Sequence, residues 1–123
     1  MIVLVVEDSS AMRQLVSHAL RKIEGTVVVE ASDGANALEK LAEIQPDVII
    51  TDLNMPVMDG MTLIEQVRKR ENLAKTPIIV LTTEGGLTDQ QKATELRVAA
   101  YVTKPIRQQE LIDAVTRVVG ASA

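Results

Sequence analysis

The sequence predicts an α/β fold in which five parallel strands form one sheet with helices on both faces. Five short apolar runs rich in Val and Ile, at residues 2–6, 27–29, 48–50, 78–81 and 99–102, alternate with segments of helical spacing. Several of these runs are almost continuously apolar, which is typical of strands covered on both faces. Strands that alternate with helices indicate a parallel sheet, and right-handed crossovers favour the flavodoxin-like strand order 2-1-3-4-5.

The helices follow the strands in order, and each has its own boundary signals. Ser9 or Asp8 can cap the first helix and Gly25 can end it, while Asp-Gly pairs at 33–34 and 59–60 precede the second and third. The fourth predicted helix, residues 87–96, has the least regular apolar spacing. The apolar positions at helical spacing are Met12, Leu15, Val16, Ala19, Leu20 and Ile23, then Ala35, Leu38, Leu41 and Ala42, then Leu63, Ile64 and Val67, and in the last helix Leu111, Ile112, Val115, Val118 and Val119.

Length and composition favour a single domain spanning residues 1–123. Apolar residues make up 46% of the chain, whereas aromatic residues make up 1%, so the core must be aliphatic. The net charge of −4 argues against a nucleic-acid partner, and the first apolar run is too short for a membrane span or signal peptide. Without cysteine there are no disulfides or thiolate metal sites. We expect a cytoplasmic monomer.

Polar residues follow four of the five predicted strands, at the point where each strand ends. They are Glu7-Asp8, Asp52, Thr82-Thr83 and Thr103-Lys104-Pro105. In an open parallel sheet, ligands bind at the carboxyl ends of the strands, beside the point where the strand order reverses. We therefore expect three carboxylates, a hydroxyl and an ammonium group to meet in one shallow pocket.

Three carboxylates in one pocket require a positive counter-charge, because two unit charges ~4 Å apart repel by on the order of 4 kcal/mol near a protein surface. Lys104 supplies one charge, and Mg2+, which prefers carboxylate oxygens and phosphate, would supply more. Asp8 and Asp52 are then direct ligands, with Glu7 acting through water. Asp52 is the best candidate nucleophile for an aspartyl phosphate. No Gly-rich phosphate loop follows the first strand, which argues against dinucleotide binding.

Four motifs in order resemble the receiver domains of two-component response regulators, especially the free-standing CheY type. They are LVVEDSSAMR at 4–13, TDLNMPVMDG at 51–60, LTTE at 81–84 and YVTKP at 101–105. The resemblance covers essentially the whole chain. It implies that Asp52 is phosphorylated, that Glu7 and Asp8 hold Mg2+ with the Asn54 carbonyl, and that Lys104 pairs with the phosphoryl oxygens.

The resemblance also implies a switch. Thr82 is the hydroxyl that moves onto the phosphoryl group, and Tyr101 is the aromatic residue that changes rotamer with it. Asn54 and Glu84 occupy positions that tune the lifetime of the phosphate, and the peptide bond before Pro105 is typically cis. The chain departs from the family pattern at Arg97-Val98, where Gly-Ala is usual, at Ile106, where Phe is usual, and at Thr83, where Ala is common.

The predicted function is that of a phosphoacceptor response regulator, which takes its phosphoryl group from a sensor histidine kinase. A downstream protein would bind the surface of helix 4, strand 5 and helix 5, in chemotaxis or motility. Apart from its own phosphorylation and dephosphorylation, the chain should catalyse nothing. Alternatives are a receiver excised from a hybrid kinase or transcription factor, a phosphorelay shuttle, or a pseudo-receiver, which the intact Asp52 and Lys104 disfavour. An aspartate-dependent phosphatase needs a second acid where this chain has Asn54.

Overall fold

The computed structural model describes residues 1–55, 57–82 and 97–120, together with the backbone of residues 121–122. Its five strands form one parallel sheet in the order β2-β1-β3-β4-β5, which confirms the predicted fold. The strands are β1 (Ile2–Val6), β2 (Val27–Ala31), β3 (Val48–Asp52), β4 (Ile78–Thr82) and β5 (Ala100–Thr103). The predicted fourth helix at 87–96 lies outside the described residues, as do Thr83 and Glu84.

Helices pack on both faces of the sheet. They are α1 (Ser10–Arg21), α2 (Gly34–Leu41), α3 (Gly60–Lys69) and a C-terminal helix (Gln108–Ser122), with a short 3-10 helix at Glu71–Leu73 that the spacing did not predict. One core cluster joins α1 and the C-terminal helix to one face of the sheet. A second cluster joins α2 and α3 to the other face.

The central strands supply both faces of this core. Val3 and Val5 of β1 point into the cluster beneath α1, whereas Leu4 and Val6 point into the cluster beneath α2 and α3, and all four are fully buried. Burying each such side chain contributes roughly 1.5–3 kcal/mol. The alternation explains why the strands are apolar without interruption. Because all neighbouring strands pair in parallel, their carboxyl ends lie at one edge of the sheet. Among the residues described, no helix is long and apolar enough to cross a membrane.

The strands extend beyond the apolar runs where pairing with a neighbour continues. β3 ends at Asp52, two residues later than the apolar run indicates, because Asp52 pairs with Leu81 of β4. Likewise β2 continues through Glu30 to Ala31, which pairs with Val6 of β1. Because of this pairing, Asp52, the candidate phosphoacceptor, is the last residue of a buried strand.

Side-chain caps set the start of three helices. The Ser9 hydroxyl accepts a hydrogen bond from the Met12 amide (3.3 Å), so Ser9 rather than Asp8 caps α1. Asp33 and Asp59 cap α2 and α3 in the same way, each accepting a backbone N–H at 2.8 Å. Such caps each contribute about 1 kcal/mol.

The prediction that Gly25 ends the first helix is wrong. The helix ends at Arg21, because the next amides, of Lys22 and Ile23, donate to carbonyls only three residues back. Gly25 lies beyond this tightened turn with a φ of 79°, a left-handed conformation that glycine adopts without strain. Its role is to redirect the chain into β2.

Candidate functional site

An acidic cluster lies at the carboxyl ends of β1 and β3, as the sequence predicts. β1 and β3 are neighbours in the sheet, so Glu7 and Asp8, which follow β1, meet Asp52 at the end of β3. One carboxylate oxygen from each of the three residues lies within 4.8 Å of the others. Glu7 is 1% exposed and Asp52 is 5% exposed, whereas Asp8 is open to solvent. The pocket therefore combines two buried acids with one accessible acid.

Lys104 joins this cluster from the end of β5. Its Nζ donates a hydrogen bond to Asp52 Oδ2 at 2.6 Å and lies 3.6 Å from Glu7 Oε2. The Lys104 amide donates to the Thr82 carbonyl at 2.7 Å, which extends the pairing between β4 and β5 to the site. The Lys104–Pro105 peptide bond is cis, as the resemblance implies.

The three ionisable groups change one another's proton affinity. Burial, and then the hydrogen bond that protonated Glu7 can donate to Asp52, raise the pKa of Glu7 from 4.5 to about 7. Burial alone would also raise the pKa of Asp52, but hydrogen bonds with Lys104, Glu7 and the Asn54 amide lower it below its usual value. Burial opposes the charge on Lys104, yet its hydrogen bond to Asp52 and the nearby carboxylates raise its pKa. Near neutral pH, Asp52 is thus an ionised carboxylate paired with an ammonium group.

Backbone hydrogen bonds hold both buried acids in place. The Ser9 amide donates to Glu7 Oε1 and the Asn54 amide donates to Asp52 Oδ1, each at 3.1 Å. Arg13 of α1 donates from Nη1 to the Glu7 carbonyl oxygen at 2.8 Å, and its Nε lies 3.3 Å from a Glu30 carboxylate oxygen. The sequence motifs do not single out Arg13, although its place one turn into α1 directs it back toward the end of β1.

The same pocket has the donor set that a hard divalent cation requires. Glu7 Oε2 is buried and makes no hydrogen bond, although Lys104 Nζ lies 3.6 Å from it. The Glu7 carboxylate offers one oxygen within 4.8 Å of oxygens of Asp8 and Asp52. A buried oxygen without a hydrogen bond is unfavourable unless a proton, a water or a cation satisfies it. Oxygen ligands from carboxylates match the preference of Mg2+, so the residues present fit this ion.

The β3–α3 loop approaches the site closely at Gly60. A Cβ atom added there would lie 2.1 Å from the Asp52 carbonyl oxygen and 2.7 Å from the Leu53 Cα. The Gly60 amide donates to the Leu53 carbonyl at 2.9 Å, so the start of α3 is bonded directly to the end of β3. Glycine is required here because no side chain fits between the two backbone segments.

The predicted switch residues lie at different distances from the acids. Thr82 is the last residue of β4 and is 8% exposed, beside the Lys104 amide that bonds its carbonyl. Tyr101 lies on β5, three residues before Lys104, and is 37% exposed. This spacing places it about 10 Å from Lys104 along the strand direction. Glu84, the predicted partner of Asn54 in tuning phosphate lifetime, lies outside the described residues.

A five-stranded 2-1-3-4-5 sheet with an acidic cluster and a lysine at its carboxyl edge defines a class of phosphoacceptor domains. The chain belongs to the response regulator receiver domain family, whose profile matches residues 3–116. Proteins of this family are the phosphoacceptors of two-component systems, acting with histidine kinases and downstream targets. The family assignment confirms the resemblance.

The chain is similar to chemotaxis regulators and to receiver domains of histidine kinases. The chemotaxis protein CheY1 of Helicobacter pylori is 39% identical over 120 residues, which cover 97% of each chain. The crystal structure of Vibrio cholerae chemotaxis protein CheY4 superposes with a TM-score of 0.89 at 38% identity, covering 95% of this chain and 97% of that one. A receiver domain of a Pseudomonas aeruginosa sensor histidine kinase, 28% identical with a TM-score of 0.87 and 97% of each chain covered, has a magnesium ion coordinated in its active-site cleft.

Proposed function

We propose that Asp52 accepts a phosphoryl group from the phosphohistidine of a sensor histidine kinase. The observation that carries this proposal is the position of the Asp52 carboxylate, which is buried, ionised and hydrogen-bonded to Lys104 within an acidic cluster. A structural ion pair alone would not need Glu7 and Asp8 beside it. The charges of three acids and one lysine are balanced when a further cation and an anionic group bind in the pocket.

In the transfer, an Asp52 carboxylate oxygen attacks phosphorus. A new P–O bond forms while the P–N bond breaks, and the electron pair returns to the imidazole of the donor. Oxygen Oδ1 of Asp52 is fixed by the Asn54 amide, so the carboxylate is oriented before the donor arrives. Lys104 Nζ, now 2.6 Å from Oδ2, is placed to bind a phosphoryl oxygen and stabilise its charge.

Mg2+ would be held by Asp8 and Asp52 directly, by the Asn54 carbonyl, and by Glu7 through water. When bound, it would neutralise charge on the carboxylates and on the phosphoryl oxygens. Glu7 contributes Oε2, which is buried without a hydrogen bond beside Lys104 Nζ, while the Ser9 amide fixes its other oxygen. The ion in the related kinase receiver supports this assignment.

The phosphoryl group then shifts the domain between two packings. It adds close to two negative charges beside Thr82, whose hydroxyl moves toward it, and Tyr101 turns inward. A target protein binds the surface formed by residues 87–96, β5 and the C-terminal helix. Asn54 and Glu84 set how long the phosphate survives, and the chain catalyses only its own phosphorylation and dephosphorylation.

The relatives and the composition support a proposal for the cellular setting. We assign residues 1–123 to one receiver domain that acts as a cytoplasmic monomer in chemotaxis or motility, with no nucleic-acid or membrane partner. A receiver that serves as a phosphorelay shuttle or as part of a longer kinase or transcription factor is the second candidate, because a receiver of a histidine kinase shares the fold.

Labelling by radioactive acetyl phosphate with Mg2+ tests the site. Asp52→Asn should abolish labelling, because the amide is a poor nucleophile and no longer pairs with Lys104. Asp59→Asn is the matched control, since Asn also caps a helix well and Asp59 lies outside the acidic cluster. Labelling that persists in Asp52→Asn, or that is lost equally in the control, contradicts the proposal.

A further inference from the structure

A cavity lies at the amino ends of the strands, on the side of the sheet opposite the carboxyl ends that carry Asp52. It has a volume of about 500 Å³ and includes Pro77 and Ala99, which immediately precede β4 and β5. Small-ligand sites are typically clefts of roughly 300–1,000 Å³. Four cationic side chains line this cleft, namely Arg68, Lys75, Arg97 and Arg117. We call these four residues and the space between them the basic cleft.

Arg68 is the fixed charge of the basic cleft. Its Nη1 donates to the carbonyl oxygens of Leu73, Ala74 and Thr76 at 3.3, 3.2 and 2.8 Å, and its Nη2 donates to the Arg97 carbonyl at 3.1 Å. These bonds tie the end of α3 to the segments that lead into β4 and β5. Arg68 therefore has a structural role, and it also contributes a half-buried positive charge to the cleft.

The other three cations are exposed and belong to separate segments of the chain. Lys75 precedes β4, Arg97 precedes β5, and Arg117 lies on the C-terminal helix. Within the described part of the chain, none of the three forms an ion pair and no acidic residue lines the cleft. By contrast, the exposed Arg21 lies beside Glu30, as does Arg13.

This concentration of positive charge runs against the composition of the chain. Acidic residues outnumber basic ones in the protein, 17 to 13, yet among the described residues no acid lines this cleft. The cations also oppose one another: burial, and then the charge of Arg97, lower the pKa of Arg68. Arg97 further has a φ of 60°, a left-handed conformation in which any residue other than glycine is strained. Repulsion and strain retained at one cleft point to a ligand that compensates them.

We propose that the basic cleft binds a small polyanion through a polyphosphate group. Polyphosphate places several negative charges within the span of one small cleft, where Lys75, Arg97 and Arg117 can all reach it. Carboxylates of an acidic peptide carry one charge each and are spread along an extended chain at ~3.3 Å per residue, which suits a long groove better. The apolar wall at Pro77 and Ala99 leaves room for an uncharged portion, such as a nucleoside.

Titration of the 15N-labelled full chain with inorganic tripolyphosphate and with ADP, without Mg2+ and at low salt, tests this proposal. Amide shifts should centre on Lys75, Arg97 and Arg117 and saturate at one ligand per chain. The Lys75→Glu/Arg117→Glu variant should bind tripolyphosphate at least tenfold more weakly. If ADP binds more tightly than tripolyphosphate, the apolar wall takes the nucleoside; if it binds less tightly, the polyphosphate group alone is recognised.

The control variant is Lys22→Glu/Arg107→Glu, which changes the net charge equally at two exposed cations outside the cleft. It should retain binding within twofold. Equal weakening in this control would show a non-specific charge effect and overturn the proposal. So would shifts centred on Asp52 and Lys104, or a tetraglutamate peptide that binds the cleft as tightly as tripolyphosphate. Thermal melting of both variants confirms that each is folded.

Discussion

Substitution of Gly60 by alanine should displace the backbone beside Asp52 while every reactive side chain of the site is kept. The added Cβ would lie 2.1 Å from the Asp52 carbonyl oxygen, 2.7 Å from the Leu53 Cα and 3.0 Å from the Asp52 carbonyl carbon. Favourable contacts between heavy atoms begin near ~3.5 Å. The start of α3 must therefore move away from the end of β3 by about 1 Å or more, because all three neighbours are backbone atoms.

The loss of stability in Gly60→Ala follows from the cost of overpacking and of distorted backbone angles. Overpacking that moves backbone costs roughly 1–3 kcal/mol, and a 15° distortion of one backbone angle costs about 4 kcal/mol. We expect Gly60→Ala to reduce the free energy of unfolding by about 3–4 kcal/mol. Displacement of a reacting group by ~1 Å lowers rates by about a hundredfold. Phosphorylation of Asp52 should fall by that order even where the variant is fully folded.

Urea unfolding measures the first effect, and the rate of labelling by acetyl phosphate in native buffer measures the second. Two other glycines are matched controls. Gly120→Ala meets no atom within 4 Å and lies in the C-terminal helix, so it should stabilise the fold by up to ~1 kcal/mol. Gly34→Ala meets Met58, partly at flexible side-chain atoms, and should fall between the two.

If Gly60→Ala unfolds at the same urea concentration as the wild-type chain and is phosphorylated at the same rate, the close contact between α3 and β3 does not position Asp52. A loss of stability with an unchanged rate would assign Gly60 to the fold alone.

Three further predictions follow from single contacts. In metal-free buffer, the raised pKa of Glu7 stabilises the folded wild-type chain while Glu7 is protonated, and this stabilisation is lost as pH rises from 4.5 through about 7. Glu7→Gln should therefore gain stability relative to the wild-type chain between pH 5 and pH 8. The shift in the pKa of Glu7 corresponds to about 3 kcal/mol. Urea unfolding in the presence of a chelator measures it, and a stability difference between the two proteins that does not change with pH would contradict the prediction. Arg97→Gly should stabilise the fold by up to about 1 kcal/mol through relief of its left-handed φ; an equal gain in Arg97→Ala, measured in the same way, would assign the effect to charge instead. Asp33→Ala should cost about 1 kcal/mol by removing the cap of α2, and an unchanged urea midpoint would show that the cap contributes nothing.

The sheet could be predicted from the sequence because its residues are buried on both sides. The uninterrupted run of Ile, Val and Leu at 2–6 is compatible with few other structures, and the strand order followed from handedness. The convergence of Glu7, Asp52 and Lys104 was predictable for the same reason, since parallel strands bring their carboxyl ends to one edge. Helix starts were readable from Ser9 and Asp33, which are strong capping residues.

Other features depend on contacts that local sequence does not encode. The end of α1 is set by backbone hydrogen bonds at Lys22, not by the glycine that follows. The raised pKa of Glu7 arises from burial and from Asp52, 45 positions away in the chain. The bonds of Arg68 join segments whose meeting depends on the packed structure. Such long-range geometry is why the basic cleft was not predicted.

Acceptance of the phosphoryl group by Asp52, among the acids of the pocket, can be tested with a stable mimic. Beryllofluoride, a mimic of the aspartyl phosphate, tests it most directly in a crystal structure or by 19F NMR of the chain with Mg2+. We expect one beryllofluoride bonded to an Asp52 oxygen, with Lys104 Nζ on a fluorine. Beryllofluoride found on another carboxylate, or no adduct under conditions in which the chain is folded, contradicts it.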